Sequence, residues 1–160
     1  MPDFFYAKGR ILESIQFITD EMKEFERDYD GKTWPEYQND RKIQKLMDRT
    51  IENILTALIE VSGTLTTRNT IKVENYADAL RKASELLGFN QEDQEKLGKL
   101  AAQRNRLAHR YLNFRWQVIR VFKENKPLIG EFLKRALELE KERLSENDRL
   151  NQPDSPRIAR

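Results

Sequence analysis

Residues 40–65 read DRKIQKLMDRTIENILTALIEVSGTL, and the apolar positions in that stretch decide the fold. Ile43, Met47, Ile51, Ile54, Leu58, Val61 and Leu65 follow one another at steps of three or four residues. A strand alternates every second residue, whereas steps of three and four keep one helical face against a core. Asn39 or Asp40 supplies the N-cap of this long helix. Upstream, Ile11, Ile15, Ile18, Met22 and Phe25 keep the same stepping and predict a helix over residues 3–28. Asp30-Gly31 and Trp34-Pro35 mark the loop between the two. Downstream, Asn75 and Gly88 bracket a shorter helix over residues 76–87. Asn90, with Asp93 three residues on, opens a fourth, whose stripe is Leu97, Ala101, Arg104, Ala108 and Tyr111. A fifth begins after Asn113, and Pro127 breaks or restarts it before residues 128–144. No proline lies between Pro35 and Pro127. The expectation is an all-α, antiparallel bundle of about four to five helices over residues 1–144. Residues 145–160 hold two prolines and few apolar side chains, which predicts a flexible C-terminal tail.

Composition narrows the function. The chain has 160 residues, 38% hydrophobic and 35% charged, enough for one domain with its own core. It has no cysteine and one histidine, His109, which excludes a zinc site, a disulfide framework and a cysteine nucleophile. No run of 18 apolar residues is present and the N-terminus lacks a signal-peptide core, so a cytoplasmic protein without a membrane span is expected.

Charge is distributed unevenly. Residues 96–123 carry eight basic side chains (Lys96, Lys99, Arg104, Arg106, Arg110, Arg115, Arg120 and Lys123) and no acid. The rest of the chain then has 21 basic and 27 acidic residues, a net charge of −6 under an overall +2. One reading is a surface that meets a polyanion. The other is a basic face that complements Asp20, Glu21, Glu24, Glu26, Asp28 and Asp30 within the fold.

Inside the basic stretch lies Arg104-Asn105-Arg106-Leu107-Ala108-His109-Arg110-Tyr111. Arg104 is anomalous there, because it sits on a stripe that otherwise faces the core. Arg, Asn, His and Tyr at these relative positions arise by chance roughly once in 5,000 trials. The segment resembles the HepT-like ribonuclease toxins of the HEPN superfamily, marked by Arg-x4-His-x-Tyr with Asn commonly after the Arg. Asp40-Arg41 at the head of the long helix, and the short helix ending at Gly88, are similar to the same family's features. Ala108 stands where Val is commoner, and Arg106 adds a charge; neither replaces a motif residue. The resemblance implies a dimer that cleaves RNA without a metal or other cofactor. It also implies a cognate MNT-type nucleotidyltransferase antitoxin, which would silence the toxin by AMPylation of Tyr111.

The side chains suit that chemistry. RNA cleavage without a metal needs proton transfer at the 2′-OH and the leaving 5′-oxygen, and positive charge on the phosphate. His109 titrates near neutrality by type, and Arg104 can hold a phosphate bidentately, so these two are the candidate catalytic residues. On a continuous helix Asn105 would lie about 40° from His109 and could orient it or the phosphate, while Arg104 would lie about 140° away. One regular helix therefore cannot aim Arg104 and His109 at one phosphate: either the helix ends near His109, or two subunits of a homodimer share a cleft. Arg106 and Arg110 are candidate RNA contacts, and Tyr111, near Arg104's meridian, is expected at the rim. Structural alternatives stand beside each. Arg104 would be a packing salt bridge to an acid such as Asp40, Asn105 a cap, and Tyr111 and Trp116 core aromatics. Glu131, Glu138, Glu140 and Glu142, interleaved with Lys134, Arg135, Lys141 and Arg143, read as an exposed helix rather than a magnesium site. A different class of function, a non-catalytic HEPN nucleotide-binding or adaptor module for a nucleotidyltransferase, fits the same motif.

Overall fold

A computed structural model describes residues 10–151. The expected helical residues 3–9, and residues 152–160 of the expected tail, lie outside the described residues. Among the described residues there are seven α-helices and no strand: α1 (Ile11–Asp28), α2 (Trp34–Asn39), α3 (Arg41–Arg68), α4 (Tyr76–Leu86), α5 (Gln91–Gln103), α6 (Leu112–Glu124) and α7 (Lys126–Asn151). The all-α class agrees with the sequence reading. The count exceeds it for two local reasons. Thr33 and Glu36 form a reciprocal capping box that turns the expected loop into α2. The chain also restarts at Lys126, with Pro127 in the first turn of α7, where the missing amide is harmless.

Side-chain caps fix the starts of α3, α4 and α5. The Asp40 carboxylate accepts from the amides of Lys42 and Ile43, Asn75 accepts from the Asp78 amide, and Asn90 from the Asp93 amide. Gly88 follows α4 at φ 85°, a conformation in which a Cβ would be strained. α3 is the axis of the bundle and packs against α1 on one side and α4 on another, with α4 and α5 closing as a hairpin. Its predicted stripe is buried from Met47 to Leu65, and Ile43 is half-buried against the same core. Phe25 of α1 meets Phe122 of α6 edge to face at 4.9 Å, both fully buried. Truncating either would cost about 3–5 kcal/mol.

Polar ties set the outer helices. Tyr37 donates to Asp48 at 2.8 Å and Arg115 donates to the other carboxylate oxygen at 2.6 Å, joining α2, α3 and α6. Burial raises the Asp48 carboxyl above its ordinary range against the pull of both partners. At the opposite corner Lys126 pairs with Asp30 at 2.8 Å and Glu26 at 3.6 Å, while Lys123 donates to the Asp30 carbonyl. Of the basic run 96–123 itself, Lys123 reaches this corner, and it bonds a main-chain carbonyl, while the acids there are paired by Lys126 outside the run.

α7 extends past the expected helix end at Leu144 through residues 145–151, because extending a nucleated helix is far easier than starting one. One sequence expectation fails on this helix. Glu140 is not exposed but 3% accessible, bonded to Arg68 of α3 at 2.8 Å and to Arg143 at 2.8 and 3.3 Å. Burial alone would raise its carboxyl; the bonds from Arg143 and Arg68 outweigh that and hold it below the usual range.

Candidate active site

The motif lies where a helix ends. α5 stops at Gln103, and residues Arg104–Ala108 tighten into a 3₁₀ turn. His109 then adopts an extended conformation, φ −73° and ψ 142°, its amide donating to the Arg106 carbonyl at 3.1 Å. The segment contains no Gly or Pro, and its contacts at the break are tertiary. Leu107 is buried in the core, and Arg104 is tied to α3. The continuous helix expected through Tyr111 is therefore absent. Ala108 and Tyr111 are exposed rather than continuing the core stripe, and Asn105 does not share a regular helical face with His109. Of the two geometric alternatives, the helix does end locally, one residue before Arg104.

Arg104 is half-buried, and its Nε donates to the Thr56 hydroxyl at 2.7 Å. The expected packing bridge to Asp40 is not formed: that carboxylate caps α3 instead. Arg104 lines a recess of about 450 Å³ between α1 and α3, with Phe17, Arg49, Glu52, Asn53 and Glu60 among its other walls. Burial raises the Glu60 carboxyl, and the charge of Arg104 pulls it back.

His109 occupies different surroundings. Its exposed ring packs at 4.9 Å from Tyr111 and edge-on to Phe114 at 4.7 Å. Nδ1 accepts from the Tyr111 amide at 3.3 Å, which leaves the ring proton of the neutral imidazole on Nε2. Tyr111 is 55% exposed, with the Arg110 guanidinium 6.0 Å from its ring centroid. Its hydroxyl-bearing ring is thus reachable from solvent, unlike the core aromatic of the structural alternative. Trp116 is half-buried, grouped with Trp34 and Tyr37. Among the described residues, none of Arg104, Asn105 and His109 hydrogen-bonds another. The chain presents an arginine in a recess and a histidine in an exposed aromatic group, not a joined pair.

The basic segment divides in use. Lys96 pairs with Glu92, Arg115 with Asp48, and Lys123 caps the Asp30 carbonyl, whereas Arg106, Arg110 and Arg120 are exposed and form no ion pair among the described residues. Among the described residues, no group of three or more His, Cys, Asp and Glu is placed to hold a metal ion. No described helix is long and apolar enough to cross a membrane. Sequence reading missed Thr56 and Glu60 near Arg104, and Phe114 beside His109. The signal was present for the first two: Arg49, Asn53, Thr56 and Glu60 form a polar stripe at steps of four, three and four on α3, with Glu52 beside it.

The protein family described as Ribonuclease HepT-like matches residues 12–136. No curated protein matches the chain. The matched residues run from α1 into α7 and include Thr56, the recess walls apart from Arg10, and the whole of the motif turn.

Proposed function

Because the chain belongs to the HepT-like ribonuclease family, we propose that it is the toxin of a HEPN/MNT-type toxin–antitoxin pair, a metal-independent endoribonuclease of the cytoplasm. Arg104 binds the scissile phosphate and stabilises its added charge, and His109 transfers protons. Asn105 supports them, while Arg106 and Arg110 draw in the RNA backbone. The observation that carries this reading is Arg104's position: a half-buried guanidinium facing an open recess, bonded to a neutral hydroxyl. That Arg104 and His109 keep different partners within one chain, with no hydrogen bond between them among the described residues, supports a homodimer whose two motif turns share a cleft. The exposed Tyr111 ring, with Arg110 beside it, supports silencing by an MNT-type nucleotidyltransferase. An AMP esterified there carries its phosphate into the basic surface, where it competes with RNA.

The test is cleavage of purified RNA by Arg104→Ala and His109→Ala in excess chelator. Each variant should lose activity while unfolding at the wild-type temperature, and the wild type should be indifferent to the chelator. Full cleavage by either variant removes that residue from the chemistry. A wild type that is inactive on RNA under all metal conditions supports the non-catalytic adaptor instead.

A further inference from the structure

Six arginines are half-buried among the described residues, and five of them face a carboxylate. Arg68 and Arg143 bond Glu140, Arg81 bonds Asp78, Arg115 bonds Asp48 and Arg135 bonds Glu131. Arg104 is the sixth, and its partner is the Thr56 hydroxyl at 2.7 Å. Glu60 shares the recess with it, yet no ion pair forms between them among the described residues. An arginine used for packing is neutralised by its partner, as the other five are. A neutral oxygen fixes the side chain and leaves the charge available.

Thr56 is equally unusual on its own helix. Thr50, Thr64 and Thr66 of α3 turn their hydroxyls back to the carbonyls of Leu46, Glu60 and Ser62, at 2.7, 3.1 and 2.9 Å. That back-bond is common for a helical threonine, although the exposed Thr67 near the end of α3 does not make it among the described residues. The Thr56 hydroxyl instead accepts across the bundle from Arg104, 48 residues away. The bond takes Nε, so the two terminal nitrogens of the guanidinium remain for a bidentate partner.

We infer that Thr56 is the positioning residue for Arg104, holding its guanidinium at the recess without a direct ion pair among the described residues so that its terminal nitrogens meet an RNA phosphate. The inference rests on the ribonuclease reading given above. Arg has several rotatable bonds, and a free side chain would sample many orientations; tethering Nε removes most of them before substrate arrives. Thr56 itself touches no reacting atom.

The experiment compares Thr56→Val, Thr56→Ser and Arg104→Ala as full-length proteins, with kcat and KM on one RNA and thermal unfolding for each. Thr56→Val keeps the shape and removes the hydroxyl; kcat should fall about 10- to 100-fold with KM within about twofold and an unchanged Tm. Thr56→Ser restores the hydroxyl and should recover most of kcat. Wild-type kcat in Thr56→Val overturns the inference, as does a Ser variant as slow as the Val variant, because then the methyl and not the hydroxyl matters. Should Thr56→Val fail to fold, the Ser variant decides alone: near-wild-type kcat supports the tether and a large loss refutes it. Arg104→Ala separates the two levels. If it is inactive while Thr56→Val is normal, only the tether is wrong; if it cleaves normally, the catalytic reading itself falls.

Discussion

A mixed dimer tests how Arg104 and His109 combine. In one chain Arg104 faces the recess between α1 and α3, while His109 packs on Tyr111 and Phe114 beyond the 3₁₀ turn. If each catalytic centre takes Arg104 from one subunit and His109 from the other, a dimer holds two such centres related by its twofold axis. Pairing an Arg104→Ala chain with a His109→Ala chain then spoils both residues in one centre and leaves the other intact. The heterodimer, isolated through two different affinity tags, should therefore have about half the activity of the wild-type dimer. Without tag selection, random exchange makes about half of all dimers mixed, and the expected recovery drops to about one quarter. Each parental homodimer should be inactive, so the signal is read against a background near zero. The assay is initial-rate cleavage of a labelled RNA after subunit exchange, with light scattering to confirm dimers of about 38 kDa from the 19.1 kDa chain. A heterodimer as inactive as its parents would show that both residues serve a centre within one chain, and the separation seen around the turn would then close on substrate binding.

Three further outcomes follow from the same structure. With the cognate nucleotidyltransferase and ATP, mass spectrometry should place AMP on Tyr111; Tyr111→Phe should accept none and stay active beside the antitoxin, and equal inhibition of both would show silencing by binding alone. Charge reversal at Arg106 and Arg110 should weaken RNA binding and flatten its salt dependence by about one unit of log–log slope per lost phosphate contact, measured by fluorescence anisotropy at several ionic strengths. Glu140→Ala should destabilise the fold by about 2–3 kcal/mol, less than a fully buried pair because Arg68 and Arg143 remain 23% and 40% exposed, lowering Tm by roughly 4–12 °C in calorimetry. The Glu140 carboxyl is held below its ordinary range, so its contribution is present above the unfolded-state pKa of 4.5 and is lost as pH falls through the folded value. The variant's deficit should shrink on acidification, and a deficit that persists there would assign the loss to packing instead.

What the sequence made legible, and what it did not, divides along the range of the forces involved. The apolar stepping of α3 and the caps at Asp40, Asn75 and Asn90 are local, and the helices they imply are the helices found. The Thr33–Glu36 capping box is local too, and the brief α2 it starts could have been read by the same rule. The break at Gln103 could not. Residues 99–111 keep a helical pattern with no Gly or Pro, and the contacts found at the break are not local: Arg104 bonds Thr56 from 48 residues away and Leu107 lies in the core. Glu140 follows the same logic: one acid among four in an alternating charge run, distinguished only because α3 brings Arg68 against it. The candidate site was likewise legible as a set of residue types but not as an arrangement. Arg104, His109 and Tyr111 stand out in sequence because their combination is rare, yet their spacing implies a helical meridian that does not exist. The broken helix gives the three side chains different surroundings: a tethered guanidinium in a recess, an imidazole on an aromatic wall, and a phenol open to solvent. Arg106 and Arg110, exposed and without an ion pair among the described residues, stand on and just after the same turn, and under the ribonuclease reading proposed above their charge is left for the RNA backbone.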